Sequence, residues 1–145
     1  MQAIGIDYGE RRIGLSYGDE IGVATPLKPA IEKSEAERIA HIARVAKERN
    51  ATDLVIGYPY NMDGSAGFKA KEVDVFIEKV GAVIDLPTHR IDERLTSVEA
   101  SKGFRSGRDD DLRRSGKLDS AAATLILQDF LNQRLPLMDY ESEDI

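Results

Sequence analysis

The first 25 residues constrain the fold more than any other part of this chain. Residues 2–7 (QAIGID), 12–17 and 22–25 (GVAT) read as three short strands separated by glycine and charged residues. Connections this short leave no room for a crossover, so the strands must run as an antiparallel meander. The pattern then changes. Ser34 and Glu37 form a capping box ahead of Ile39, Ile42, Ala43 and Ala46, which share one helical face and predict a helix over 34–49. Residues 53–57 (DLVIG) form an apolar run expected to be a buried strand. Pro59, Asn61, Asp63, Gly64 and Ser65 then mark a loop.

Apolar Phe68, Val75, Phe76, Val80 and Val83 predict a second helix, and residues 87–92 (PTHRID) a fifth strand. Thr96 and Glu99 form another capping box for a short helix ending near Gly103. Ala122, Leu125, Ile126 and Leu131 supply the stripe of a last helix over 118–133, which Pro136 ends. The expected class is therefore α/β: a five-stranded mixed sheet, part meander and part parallel, flanked by helices. At 145 residues the chain has length for one domain. That domain is expected over 1–136, with an acidic, disordered tail over 137–145.

This order of elements places acids together. The first strand ends in Asp7, and in the parallel part of such a sheet the strand ends converge on the edge where ligands bind. Asp92 and Glu93 end the fifth strand, which a right-handed crossover would run parallel to the first. Asp119 stands near the start of the last helix among small residues that leave room for a ligand. Taken singly, an Asp after a strand is a turn former and an Asp at a helix start an N-cap. Taken together, three or four carboxylates at one edge suit a hard divalent cation, magnesium or manganese, that completes its shell with water and phosphate oxygens. Such ions activate water and stabilise a leaving oxygen, so the expected chemistry is phosphodiester hydrolysis without a protein nucleophile.

Candidate substrate contacts follow from the same edge. Arg11 and Arg12 come just after Gly9, Arg94 sits beside the second acidic pair, and the loop contributes the Asn61 amide and the Ser65 hydroxyl. Each of these arginines is equally suited to balancing a neighbouring carboxylate. Net charge is −6, against the usual basic balance of a nucleic-acid binder. Four of the acids, Asp139, Glu141, Glu143 and Asp144, lie in the last seven residues, and the remainder of the chain carries about −2. Basic residues cluster between Arg90 and Lys117, interrupted by Asp109, Asp110 and Asp111, as either a phosphate-facing stretch or a solvated loop. His41 and His89 have no ligand-like spacing and read as structural or surface residues.

The chain has no cysteine, which excludes a disulfide frame and a thiolate zinc site and favours a reducing compartment. No secretory leader pattern and no membrane-length apolar run is present, so the expected location is the cytoplasm, with no membrane partner.

The segments GIDYGERRIGLS from Gly5, VIGYPYNMDGS from Val55, IDERLTSVEA from Ile91 and LDSAAATLILQDFL from Leu118 together resemble the YqgF family. These are bacterial Holliday-junction-resolvase-like proteins described as nucleases for precursor 16S ribosomal RNA, and the resemblance spans roughly residues 4–131. It implies the ribonuclease H-like fold and a metal-dependent nuclease that processes the 5′ end of precursor 16S ribosomal RNA. It implies partners among structured RNA, ribosomal precursor particles or branched DNA. By position, Asp7 matches the first-strand acid, Asp92 or Glu93 the second, and Asp119 the acid before the last helix. The chain departs from the family pattern at Asp109 to Asp111, where a basic loop is usual, and at Tyr58, where leucine is usual.

Three other functions fit parts of the sequence. One is a resolvase of branched DNA, for which a two-fold dimer is the simplest arrangement, whereas a monomer suffices for one RNA end. Another is a noncatalytic ribosome-assembly or nucleic-acid-binding factor. The third is an actin-like ATPase or sugar kinase, since GIDYG also resembles their first phosphate loop, although those enzymes need two such domains.

Overall fold

The computed structural model describes residues 1–60, 63–93 and 120–134. Five strands form one sheet: β1 (Gln2–Asp7), β2 (Ile13–Asp19), β3 (Thr25–Ala30), β4 (Asp53–Tyr58) and β5 (Thr88–Asp92). Their order is β3-β2-β1-β4-β5, with β1, β2 and β3 antiparallel in sequence and β1, β4 and β5 parallel. The expected meander and the expected parallel unit therefore meet at β1, which pairs with both.

Helices α1 (Glu35–Glu48) and α2 (Phe68–Gly81) cover one face and α3 (Ala121–Arg134) the other. Strand alternation divides the core accordingly. Ile4, Ile6, Leu54, Ile56 and Tyr58 pack toward α1 and α2, while Ala3, Val55 and Ile91 pack toward α3. The capping box starts α1 as predicted: the Glu37 amide donates to Ser34 Oγ at 3.1 Å, and the Ser34 hydroxyl donates to the Glu37 carboxylate at 3.0 Å. Asn50, at φ 53°, ends the helix in the left-handed conformation that asparagine tolerates.

Helix α3 lies unusually near the sheet because glycines face it. A Cβ at Gly5 would collide with Ser16 Oγ and come within 2.8 Å of the Ala123 carbonyl. One at Gly18 would meet Leu131 at 2.7 Å, and one at Gly57 would meet Ile126 at 2.5 Å. Two serines fasten the helix at this distance. The Ser16 hydroxyl donates to the Ala123 carbonyl at 2.7 Å, and Ser120 accepts from the Leu15 amide at 3.3 Å while donating to the Leu27 carbonyl at 2.5 Å.

Three expectations need correction. The third strand is Thr25–Ala30, not 22–25. Gly22, at φ 92°, belongs to the preceding turn, where its amide donates to Asp19 O. The strand contains Pro26 and Pro29, which deny it a central place but are tolerated at the sheet edge it occupies. In α2, Phe68 and Val75 are exposed, as is Val83 beyond the end of the helix, and the buried face is Ala70, Val73, Phe76 and Val80. In α3 the buried stripe contains Ala123, Leu127 and Phe130 beside Ile126 and Leu131, with Ala122 and Leu125 only partly covered. The helix expected after Thr96, the loop through Lys117 and the acidic tail lie outside the described residues. Among the described residues no helix is long and apolar enough to cross a membrane.

Candidate active site

The carboxyl ends of β1, β4 and β5 open into a cavity of about 360 Å³. Its position is the one expected of a parallel sheet, where strand ends and the loops that follow them surround a ligand. Asp7 and Glu93 both line it, together with Gly57 and Pro59 at the end of β4. From α2 come Lys69, Glu72 and Val73, and from the turn after β1 come Tyr8, Gly9 and Glu10. Four carboxylates thus face one ammonium group.

Strand parity separates the two adjacent acids after β5. Asp92 is in register with Tyr58, whose side chain packs toward α1 and α2. Glu93 turns to the opposite side, where its Oε1 would lie 2.7 Å from a Cβ on Gly57. Gly5 faces α3, so Asp7, two residues farther along the same strand, shares that side. Asp7 and Glu93 therefore lie on one side of the sheet and Asp92 on the other. Glu93 is 7% exposed, a low value for a carboxylate, and the space that holds its head group exists because residue 57 has no side chain.

The turn carrying Glu10 is held from behind by α1. Arg38, 6% exposed, donates to the carbonyls of Glu10 at 2.8 Å, Glu32 at 2.6 Å and Lys33 at 3.1 Å. Tyr8 packs on Phe76 at 4.5 Å between ring centres, and its hydroxyl donates to Glu35 at 3.3 Å. Burial, followed by the neighbouring Glu35 carboxylate, raises the Tyr8 pKa and keeps its hydroxyl protonated as a donor. Glu35 also receives Lys79 at 2.7 Å, and this hydrogen bond holds its carboxyl below the usual range.

Other candidate residues stand apart from the cavity lining. Arg11 and Arg12 are exposed on the turn between β1 and β2. Ser65 is exposed, and its amide and hydroxyl both donate to Asp63, at 2.9 and 2.6 Å, closing a local turn. Asn61, Arg94 and Asp119 lie outside the described residues. Ser120, the residue after Asp119, is fully buried under β2 and β3. Both histidines make structural pairs: His41 with Glu32 and His89 with Asp53, each at 2.8 Å, His89 also packing on Phe130.

Tyr58 fills its place by burial, donating from its hydroxyl to Asp74 at 2.7 Å, with its ring between Tyr60 and Arg90. Glu10, Lys69 and Glu72 are cavity residues that sequence reasoning did not single out. Lys69, Glu72 and Val73 carried a usable signal, because spacings of three and four put them on one face of the helix that follows β4.

A divalent cation is compatible with this arrangement. The donors are all carboxylate oxygens, the type preferred by magnesium and manganese, and the missing Cβ at Gly57 leaves the Glu93 head group its space. Among the described residues no three acids or histidines close on a single point. Asp119, the third acid of the sequence pattern, is outside that set.

Comparison with known proteins adds three findings. A family model described as RuvX, Holliday junction resolvase, matches residues 1–133. A protein of Opitutus terrae named pre-16S rRNA nuclease is 50% identical over 137 residues, 94% of each chain. One of the same name from Crocosphaera subtropica is 41% identical over 135 residues, 92% of this chain and 94% of the relative. Among solved structures, Thermus thermophilus RuvC in complex with a Holliday junction superposes with a TM-score of 0.52 at 14% identity, covering 93% of this chain and 96% of that one. Fowlpox virus resolvase with Holliday junction DNA gives 0.51 at 14% identity, covering 93% and 99%. At such identities these two speak for the fold alone, which is ribonuclease H-like as the sequence resemblance implied.

Proposed function

From its membership of the RuvX family, to which this chain belongs over residues 1–133, we propose that it is a nuclease that hydrolyses phosphodiester bonds in precursor 16S ribosomal RNA. The observation that carries the reading is the composition of the cavity at the strand ends: Asp7, Glu10, Glu72 and Glu93 against Lys69. A polyanion would be repelled from four carboxylates unless cations accompany it, and metal-assisted phosphodiester cleavage brings such cations.

Asp7 and Glu93, with Asp119 from the start of the last helix, are the residues assigned to hold magnesium or manganese. Held by these carboxylates, magnesium or manganese would supply charge neutralisation at the scissile phosphate and a lowered pKa for the attacking water. Asp92, on the other side of the sheet, has no part in that set. Arg38 and Ser120 do the positioning: one fixes the turn after Asp7, the other anchors the residue after Asp119. Arg11, Arg12, Asn61, Ser65 and Arg94 are left as contacts to the more distant substrate backbone. The absence of cysteine suits the cytosol, where ribosomal precursors are processed.

The family description and the solved neighbours both carry the Holliday junction, so branched DNA belongs in the test. Labelled precursor 16S ribosomal RNA and a four-way DNA junction are incubated with wild type and Asp7→Asn, in magnesium, manganese or chelator. Cutting of the RNA, lost with chelator and in the folded Asp7→Asn protein, is expected. Preferred cutting of the junction would reassign the substrate. No cutting of either by folded, metal-supplied wild type would replace the enzyme with a noncatalytic assembly factor.

A further inference from the structure

Phe68 is 78% exposed, the most exposed large aromatic side chain among the described residues, and it begins α2. An aromatic ring presented to water at the start of a helix contributes nothing to the core there. Ala70, Val73, Phe76 and Val80 already bury that helix without it. Its position relative to the cavity is fixed by helical spacing. Lys69, the next residue, lines the cavity and Glu72, four residues on, lines it too, so Phe68 begins α2 one turn before Glu72, at the flank of the cavity-lining face. Lys69 is exposed, and among the described residues no hydrogen bond or ion pair engages it. An unengaged ammonium group of an acidic cavity is therefore followed back along α2, one residue earlier, by an uncovered aromatic side chain.

We propose that Phe68 and Lys69 form a nucleotide subsite for an unpaired base beside the cleaved bond, Phe68 stacking on the base and Lys69 pairing with a phosphate. This rests on the nuclease reading and narrows it to substrates that are single-stranded next to the cleavage point. The reason is geometric. A base inside a duplex has both faces covered by its neighbours, whereas an unpaired base offers a free face to an aromatic ring. Stacking of this kind is tolerant of sequence because every base has such a face. The cation adds an attraction that falls with salt, while stacking gives the preference for unpaired nucleotides.

The chain contains no tryptophan, so Phe68→Trp introduces one fluorophore at the proposed contact. The variant is titrated with a 12-nucleotide single-stranded RNA and with a blunt RNA duplex of the same sequence, in calcium so that cutting does not intervene. Quenching by the single strand at concentrations where the duplex has little effect is expected. Phe68→Ala should weaken single-strand binding about tenfold, Phe68→Tyr should restore it, and Lys69→Gln should make binding less sensitive to salt. Because the ring is exposed, thermal melting of Phe68→Ala should match wild type. Equal quenching by both RNAs, no quenching, or unchanged affinity in Phe68→Ala would overturn the subsite. The binding readout is independent of turnover, so a protein that binds single strands through Phe68 yet cuts neither test substrate would lose the nuclease reading while keeping the subsite.

Discussion

Gly57 is where the packing of α3 and the chemistry of the cavity depend on the same missing atom. A Cβ there would lie 2.5 Å from Ile126 Cδ1 and 2.7 Å from Glu93 Oε1. Gly57→Ala should therefore cost about 1–3 kcal/mol by overpacking, measured by chemical denaturation, and should also reduce cutting because the Glu93 head group is displaced. The two acids after β5 give a sharper contrast. Glu93→Gln should lower kcat by more than about a hundredfold, beyond the usual loss for groups that only support a metal ligand, whereas folded Asp92→Asn should keep most activity. A greater loss in Asp92→Asn would reverse the assignment. The position of Asp7 at the cavity edge was legible in the sequence because an apolar strand ends on it. Which of Asp92 and Glu93 lines the cavity was not: neighbouring residues of a strand point to opposite sides, and the side is set by pairing with β4, which the local sequence does not encode.

At the scale of elements, α3 shows how a helix with a weak sequence signature is placed. Its apolar residues do not form a narrow stripe, since Ala122 and Leu125 are half-covered while Ala123 and Leu127 are buried. Position comes instead from Gly5, Gly18 and Gly57 beneath it and from the two serines that tie its first turn to β2 and β3. Ser120→Ala removes an acceptor from the Leu15 amide and a donor from the Leu27 carbonyl, both buried contacts. The expected loss is about 1–3 kcal/mol, read as a shift of the denaturation midpoint. Cutting should fall as well, because Asp119 precedes this anchor; full activity in the destabilised variant would separate the anchor from catalysis. By contrast α1 was legible at its start and along its apolar face, since the capping box and Ile39, Ile42 and Ala46 stand where expected, while the buried Arg38 and His41 were not foreseen.

For the molecule as a whole, Asp53 pairs with His89 and Glu35 with Lys79 across elements distant in sequence, and Glu32 pairs with His41 nine residues on. Burial opposes ionisation of Asp53, but hydrogen bonds from Thr52 and His89 outweigh it and lower its pKa. Glu32 behaves alike through His41, and Glu35 is lowered chiefly by the Lys79 hydrogen bond. Each carboxyl is more acidic folded than unfolded, so its contribution is present above the ordinary carboxylate range of about 4. It is lost as pH falls through that range toward the lowered folded values. Stability measured by denaturant should accordingly drop below about pH 4, and Asp53→Asn should flatten part of that slope; an unchanged slope would remove this pair from the acid response. The α/β class and the sheet's two-part character were legible from connection lengths alone. The cavity's full lining was not, because Lys69 and Glu72 meet Asp7 only after the crossovers bring α2 to the same edge.

The two prolines of β3 affect more than the strand's own boundaries. Pro26 and Pro29 each lack an amide hydrogen, and they lie on the outermost strand of the meander. A neighbouring chain seeking to extend the sheet there would meet two residues that cannot donate, one of the means by which natural sheets discourage uncontrolled growth. Two copies of this protein meeting on a branched substrate would therefore not be expected to join by running one sheet into the other at β3.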